Sequence, residues 1–422
     1  MPVSRLKFES LPHAIFLQRV SGRQTATTLD ARLGQGAFLA LRLVDLLASD
    51  RAPASADAFH YQWVATDRFC RELRAVATEG AHVHGIASSA ADAYRLGEAQ
   101  LIAPALFAYA HFLEDELRLE ESIDVLTTLL VVVGNRLSSA DVVAAHLRFA
   151  RVNRKLNRFD DAETAYAEAG ELATSAGDRY SALLSRIGRA NTLLGRGNLA
   201  EAERRLQGIL ADSRAAGEQD AEARAEHDIS VAQHRMGQAV DAILHAWRAF
   251  ELYEEDDSRM RVLNDLAIML LSVGDAVGAE RALSEVVRRG CSQDNMGNAL
   301  IELMHSASYL PDHVGFARWR ERCEEHVADM PPNILADFYL KQGIGQARFG
   351  RFRRAESLMK QALDLASKAG LHEVEFRIER IMGGLQDCEQ AIARESQLAE
   401  PVVQSAELRE VSESLAQLAL QS

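Results

Sequence analysis

A nine-residue phrase recurs along the chain at nearly constant spacing. "KLNRFDDAE" (155–163), "GRGNLAEAE" (195–203), "SVGDAVGAE" (272–280) and "RFGRFRRAE" (348–356) all end in Ala-Glu, and "RMGQAVDAI" (235–243) has the same shape. The alanines Ala162, Ala202, Ala242, Ala279 and Ala355 are spaced 40, 40, 37 and 76 residues apart. The last interval is twice 38, so one more unit is expected inside it, with "LPDHVGFARW" (310–319) and Ala317 as its degenerate form. Forty residues before Ala162 lies Ser122, in "LRLEESIDVL". A period of this length means a stacked array, in which no unit can bury its apolar face alone.

Each unit reads as two helices joined by a tight turn. The turn carries Asn157, Gly197, Gly237, Gly274 or Gly350, residue types that accept a left-handed helix exit. Twelve residues before each turn alanine stands Ala150, Ala190, Ser230, Ala267 or Gly343, small enough to let paired helices approach closely. Only 6% of residues are aromatic while 48% are hydrophobic, with Ala and Leu dominant. Such a composition favours helices packed through small side chains, and the expected class is all-α.

These positions resemble the tetratricopeptide repeat (TPR), in a long-repeat variant. Its small residue, turn Gly-x-aromatic and helix B Ala, aromatic or Leu, and Ala are filled by Ala150, Asn157, Phe159, Ala162, Tyr166 and Ala169 in one unit. In another they are Gly343, Gly350, Phe352, Ala355, Met359 and Ala362. The period departs from the standard repeat of about 34 residues, and the closing proline is mostly absent. Longer helices of this kind are reminiscent of bacterial Rap-type peptide-sensing regulators and of solenoids in large transcription activators; no response-regulator-contacting motif or helix-turn-helix carries over from them. The resemblance implies a right-handed α-solenoid of about seven to eight TPR-like helix-turn-helix repeats with N- and C-terminal capping helices. Its concave groove would bind another protein or an extended peptide.

Five segments are expected. Residues 1–56 form an N-terminal segment with a capping helix over 29–50, and 57–98 a degenerate helix pair. Residues 99–370 are the repeat array and 371–394 a C-terminal capping helix. The tail, 395–422, carries an amphipathic helix over 405–420, with Leu408, Val411, Leu415 and Leu418 on one stripe. That helix has three open roles: a further cap, a homodimer contact, or an internal ligand in the groove.

Charge narrows the partner classes. With 47 basic and 61 acidic residues the formal net charge is −14, which repels polyanions. The arginine-rich "RFGRFRRAE" falls on the repeat turn, so Phe352 is expected between helices and Arg351, Arg353 and Arg354 in solvent; nucleic acid is not an expected partner. No stretch approaches the ~20 apolar residues of a membrane span, and the chain is read as cytoplasmic. Cys70, Cys291, Cys323 and Cys388 are too scattered for a zinc site or disulfide framework and are expected as buried free thiols. There is no phosphate-cradling loop, nucleophile elbow or metalloprotease motif. His82 and His84, with His111 as a third histidine, make a weak metal candidate because residues two apart on a helix do not share a face. No catalytic residue, cofactor or metal is expected.

One stretch reverses the charge balance. Between His146 and Arg205 stand eleven basic and eight acidic residues. Arg148, Arg151 and Lys155 lie at i, i+3 and i+7, one residue out of step with the apolar stripe Phe149, Val152 and Leu156. Arg186, Arg189 and Asn191 would extend the line on the next helix. Such a stripe on the groove wall would grip an acidic side chain or a free carboxylate of an extended peptide; alternatively its arginines pair with Asp160, Asp161, Glu163 or neighbouring helices. The expected function is a non-catalytic binding scaffold or adaptor. A peptide-responsive regulator of the Rap type and a homo-oligomer built through 405–420 are the alternatives.

Overall fold

The computed structural model describes residues 11–21, 29–48, 56–290, 293–327, 330, 332–392 and 406–420. Regular structure among them is entirely helical. Two helices come first, α1 (Ala14–Ser21) and α2 (Leu29–Asp45). Helix pairs follow: α3 (Ala56–Arg74) and α4 (Thr78–Leu96), α5 (Ala103–Asp115) and α6 (Leu119–Val133), α7 (Ser139–Lys155) and α8 (Phe159–Ala176); next in sequence are α9 (Arg179–Gly195) and then α10 (Leu199–Ala216). Then come α11 (Gln219–Arg235) and α12 (Ala239–Leu252), α13 (Asp256–Ser272) and α14 (Ala276–Arg289), α15 (Gln293–Tyr309) and α16 (His313–Glu324), α17 (Pro332–Arg348) and α18 (Phe352–Lys368). The chain closes with α19 (His372–Ile392) and α20 (Ala406–Leu420). It divides into two compact units, residues 1–198 and 199–422.

The repeat logic holds at atomic level. Ala162, Ala202, Ala242, Ala279 and Ala355 are all fully buried, as is Ser122, whose hydroxyl donates to the Ala110 carbonyl across the α5–α6 pair (2.9 Å). Asn157 adopts φ 58° and Gly350 φ 74°, the left-handed exits that their residue types favour. The unit expected between 280 and 348 exists as α15 and α16. There the inward place belongs to Phe316 instead of Ala317, which is only half-buried. Gly345 on α17 makes room: a Cβ there would lie 2.2 Å from the Phe316 ring. Phe352 is half-buried against the α17–α18 core instead of fully enclosed.

In the second unit the first helices of successive pairs touch in a row, α11 on α13, α13 on α15 and α15 on α17. The second helices α12 and α14 make little contact with each other, and α20 lies against both. Val411 and Leu415 of α20 are buried in the core shared by α12, α13 and α14, and Leu418 packs on its edge. Ser412 donates to Asp275 Oδ2 (2.5 Å), while Oδ1 of the same carboxylate caps α14 by accepting from Gly278 N (2.8 Å). Burial of the two apolar side chains contributes about 3–6 kcal/mol. The side chain of Leu408, expected on the same stripe, lies outside the described residues, as do Cys291 and the Cys388 side chain. α19 covers α18 and touches α17.

A further helix, α1, precedes the one expected over 29–50. α1 starts directly after Pro12 and His13, and packs on α2 and α6. It brings Arg19 into a buried charge cluster: Arg19 donates to Glu121 (2.9 Å) and Glu79 (3.1 Å), and Arg118 donates to Glu79 (2.7 Å) and Glu121 (2.7 Å). The Tyr109 hydroxyl donates to Glu79 (2.8 Å). Beside this cluster the buried His13 ring bridges Asp124 (2.5 Å) on α6 and Asp45 (3.3 Å) at the end of α2. Burial opposes its charge, but the two carboxylates outweigh that and raise the imidazole to about 9.

Two predictions follow the geometry. The His13 bridge contributes fully below the unfolded histidine value near 6.5 and is lost as pH rises through about 9. Urea unfolding should therefore lose roughly 3 kcal/mol between pH 6 and 10 from this group, a slope absent in His13→Gln. Leu117 holds φ 55° in the α5–α6 turn, where its counterparts are Asn157 and Gly350. Leu117→Gly should raise stability by about 0.5–1 kcal/mol, read as a higher urea midpoint at unchanged slope.

Candidate functional site

The cations expected as a stripe on α7 pair with a neighbouring helix, the alternative the sequence left open, and they meet there on a residue that the repeat pattern does not single out. Val152 is buried and Phe149 and Leu156 pack against the core, which turns Arg148, Arg151 and Lys155 toward the end of α5. All three reach Glu114: Arg148 at 2.8 Å, Arg151 at 2.7 Å and Lys155 at 2.7 Å. Glu114 is 2% exposed, whereas the cations are 28%, 43% and 29% exposed, so the carboxylate forms the floor and the cations face outward. Burial would raise the Glu114 carboxyl, but Arg151, Lys155 and Arg148 overcome it and hold it at about 2. Burial pulls the Lys155 ammonium below its ordinary value, beyond what Glu114 returns. Three cations on one carboxylate leave an excess of positive charge on the surface of an acidic chain.

An aromatic cleft of 480 Å³ opens beside the stripe. His82 of α4, Phe107, His111 and Phe112 of α5, and Arg148 of α7 line it, with Asp115 at the rim. The His82 ring stands 4.9 Å from that of Phe112, and burial lowers its imidazole, which favours the neutral ring. Asp115 is engaged by His111 at 2.7 Å. An apolar or aromatic side chain would fill the cleft while an adjacent carboxylate met Arg148, the combination of apolar wall and few placed polar groups typical of ligand sites.

The rest of the expected line is arranged differently. Arg189 on α9 donates to Glu163 on α8 (2.8 Å), so its charge is balanced within the array. Arg186 and Asn191 stand on the same helix. Arg158 bonds Glu120 at 2.6 Å and Arg196 bonds Asp160 at 2.5 Å, both at the turns. Glu114 was not singled out from the sequence. Its signal was there: an acidic residue directly after Leu113 and four residues after Ala110, on the stripe that α5 buries.

Glu114 makes the stripe testable. Its contribution is full above the unfolded carboxylate value near 4.5 and is lost as pH falls toward about 2. Glu114→Gln should cost about 3–5 kcal/mol at pH 7, because the cations lose their buried partner. The difference from wild type in urea unfolding should shrink toward pH 2.

No protein-family model matches the chain, and no curated protein sequence matches it. Solved structures do. The apo form of the quorum sensor NprR from B. thuringiensis is 12% identical with a TM-score of 0.52, over 78% of this chain and 97% of that one. The apo form of RapI is 9% identical with a TM-score of 0.49, over 64% and 98%. Aspartyl phosphate phosphatase F from Bacillus subtilis is 12% identical with a TM-score of 0.48, over 82% and 95%. Together with the helix pairs, the likeness to the quorum sensor shows the fold: an all-α solenoid of TPR-like repeats.

Proposed function

We propose that this chain is a non-catalytic binding protein that takes an extended segment of a partner, or a short peptide, on the α5–α7 face. The observation that carries this reading is the convergence of Arg148, Arg151 and Lys155 on the single buried Glu114. A ligand carboxylate, from an acidic side chain or a chain terminus, meets the outward edges of these cations, and a neighbouring apolar side chain enters the cleft of Phe107 and Phe112. Arg186, Arg189 and Asn191 on α9 belong to this proposal as secondary positions, each already engaged within the chain. Cys70 and Cys323 are buried free thiols, both raised to about 12 by burial.

A second reading, a peptide-responsive regulator, is favoured by the fold shared with the quorum sensor. The two differ in ligand length and in what binding does to the array, and the same site serves both. A homodimer through residues 405–420 would need the stripe that α20 already buries on α12 and α14, so the groove is carried forward.

Selection from a random peptide display library tests the site. Enriched sequences should carry Asp, Glu or a free C-terminus next to Phe, Leu or Met. Arg148→Gln/Arg151→Gln should weaken a selected peptide by about tenfold or more, since each charge-assisted bond is worth about 1.5–3 kcal/mol. Equal binding by the double variant, or enrichment without acidic groups, would sink the assignment.

A further inference from the structure

The first unit carries a second cleft, of 540 Å³, where the start of α3 meets the end of α4. Its volume is that of a small-molecule site. Four rings line it, Phe59, His60 and Trp63 from α3 and Tyr94 from α4. Phe59 is buried and stacks face to face on Tyr94, with ring centroids 3.9 Å apart and planes 6° from parallel. Trp63, one turn further along α3, has the His60 ring 5.7 Å away. Trp63 and Tyr94 both pack against the core of the unit and yet stay only half-buried. The cleft shares no lining residue with the one between His82 and Arg148, so the two assignments stand or fall separately.

Three charged residues line the same cleft: Asp57 in the first turn of α3, and Asp92 and Arg95 near the end of α4. Arg95 is engaged by Asp92 at 2.8 Å, which balances both. Asp57 is exposed and pairs with no cation among the described residues. Two carboxylates against one guanidinium leave the cleft with one surplus negative charge. Helix-end electrostatics accounts for an acid at the start of α3 and a base at the end of α4; it does not account for the rings gathered between them. Aromatic faces are electron-rich, and a cation held over Trp, Tyr or Phe is attracted to them. The rings and Asp57 therefore favour the same sign of ligand charge.

We propose that the α3–α4 cleft binds a small organic cation, an amine, amidine or guanidine carried on a flat apolar body. The body is held by Trp63 and Tyr94, and the cationic head is matched by Asp57. Arg95 at the same cleft disfavours a second positive charge, so the ligand is a monocation. A neutral ligand of the same shape gains the rings alone, and an anion is opposed by both the rings and Asp57.

The test uses the full chain and three probes of one shape: benzamidine as cation, benzamide as neutral form and benzoate as anion. Benzoate can also reach Arg148, so binding is read at Trp63 itself, by fluorine NMR of protein labelled with 5-fluorotryptophan. The three signals belong to Trp63, Trp247 and Trp319. The Trp63 line is identified by its loss in Trp63→Phe or, should that variant not fold, by elimination with Trp247→Phe and Trp319→Phe. Benzamidine should move the Trp63 line in a saturable way, with an affinity about fivefold or more above that of benzamide, and benzoate should leave it in place. Asp57→Asn should bring benzamidine down to the level of benzamide and leave benzamide unchanged. A Trp63 line that benzamidine does not move, equal affinities for benzamidine and benzamide, or full binding retained in Asp57→Asn would each overturn the proposal. Movement of the Trp247 or Trp319 line alone places the cation elsewhere and rejects this cleft.

Discussion

Ala162, Ala202, Ala242, Ala279 and Ala355 are each completely enclosed, and the spacing of the paired helices depends on that. Where backbones come this close, polar atoms of one helix reach carbonyls of the next. Ser185 donates to the Tyr166 carbonyl (2.6 Å) and Ser306 to the Ala276 carbonyl (3.1 Å). At Gly343 a Cβ would lie 3.0 Å from Met359 and 3.1 Å from the Ala355 carbonyl, so even one added carbon must be accommodated by its neighbours. The array is nearly incompressible at these crossings. Phe316 shows the rule by breaking it: a large side chain at the crossing of α15 and α16 is admitted only because α17 offers Gly345.

Charge does what small residues cannot. The first unit ends on α1 and α2, and its closing contact is a square of Arg19, Arg118, Glu79 and Glu121 with Tyr109 beneath. Burial pushes both glutamates up, and Arg19 pulls them only part of the way back. Such clusters add less net stability than an apolar plug of the same volume, and they punish wrong docking more severely. Glu114 uses the same physics to a different end. It is overmatched by three cations, so the surplus is offered to solvent, and a buried carboxylate becomes the template for an exposed cationic stripe.

Most of the fold was legible because the period repeats. Each turn residue and packing alanine could be checked against its counterparts, and the degenerate unit around Ala317 could be located by arithmetic, although its inward residue turned out to be Phe316. The contacts made once were harder. α1 is eight residues long and owes its place to Arg19 and His13, whose hydrogen-bond partners are 32 to 111 positions away; nothing local announces them. The cationic stripe was visible as helical spacing, but its anchor lay on another helix, and i, i+3, i+7 arithmetic does not cross between helices. The stripe of α20 was equally visible. Its seat was not, because one apolar face fits many grooves.

The return of α20 also bears on how the chain is made. Synthesis proceeds at about 5–20 residues per second, and α20 follows the end of α14 by more than a hundred positions. The core of α12, α13 and α14 thus waits roughly 6–26 s for the layer that Val411 and Leu415 supply. A nascent chain carries an open apolar slot through that interval, accessible to chaperones and to any helix nearby, until α20 is made and closes it.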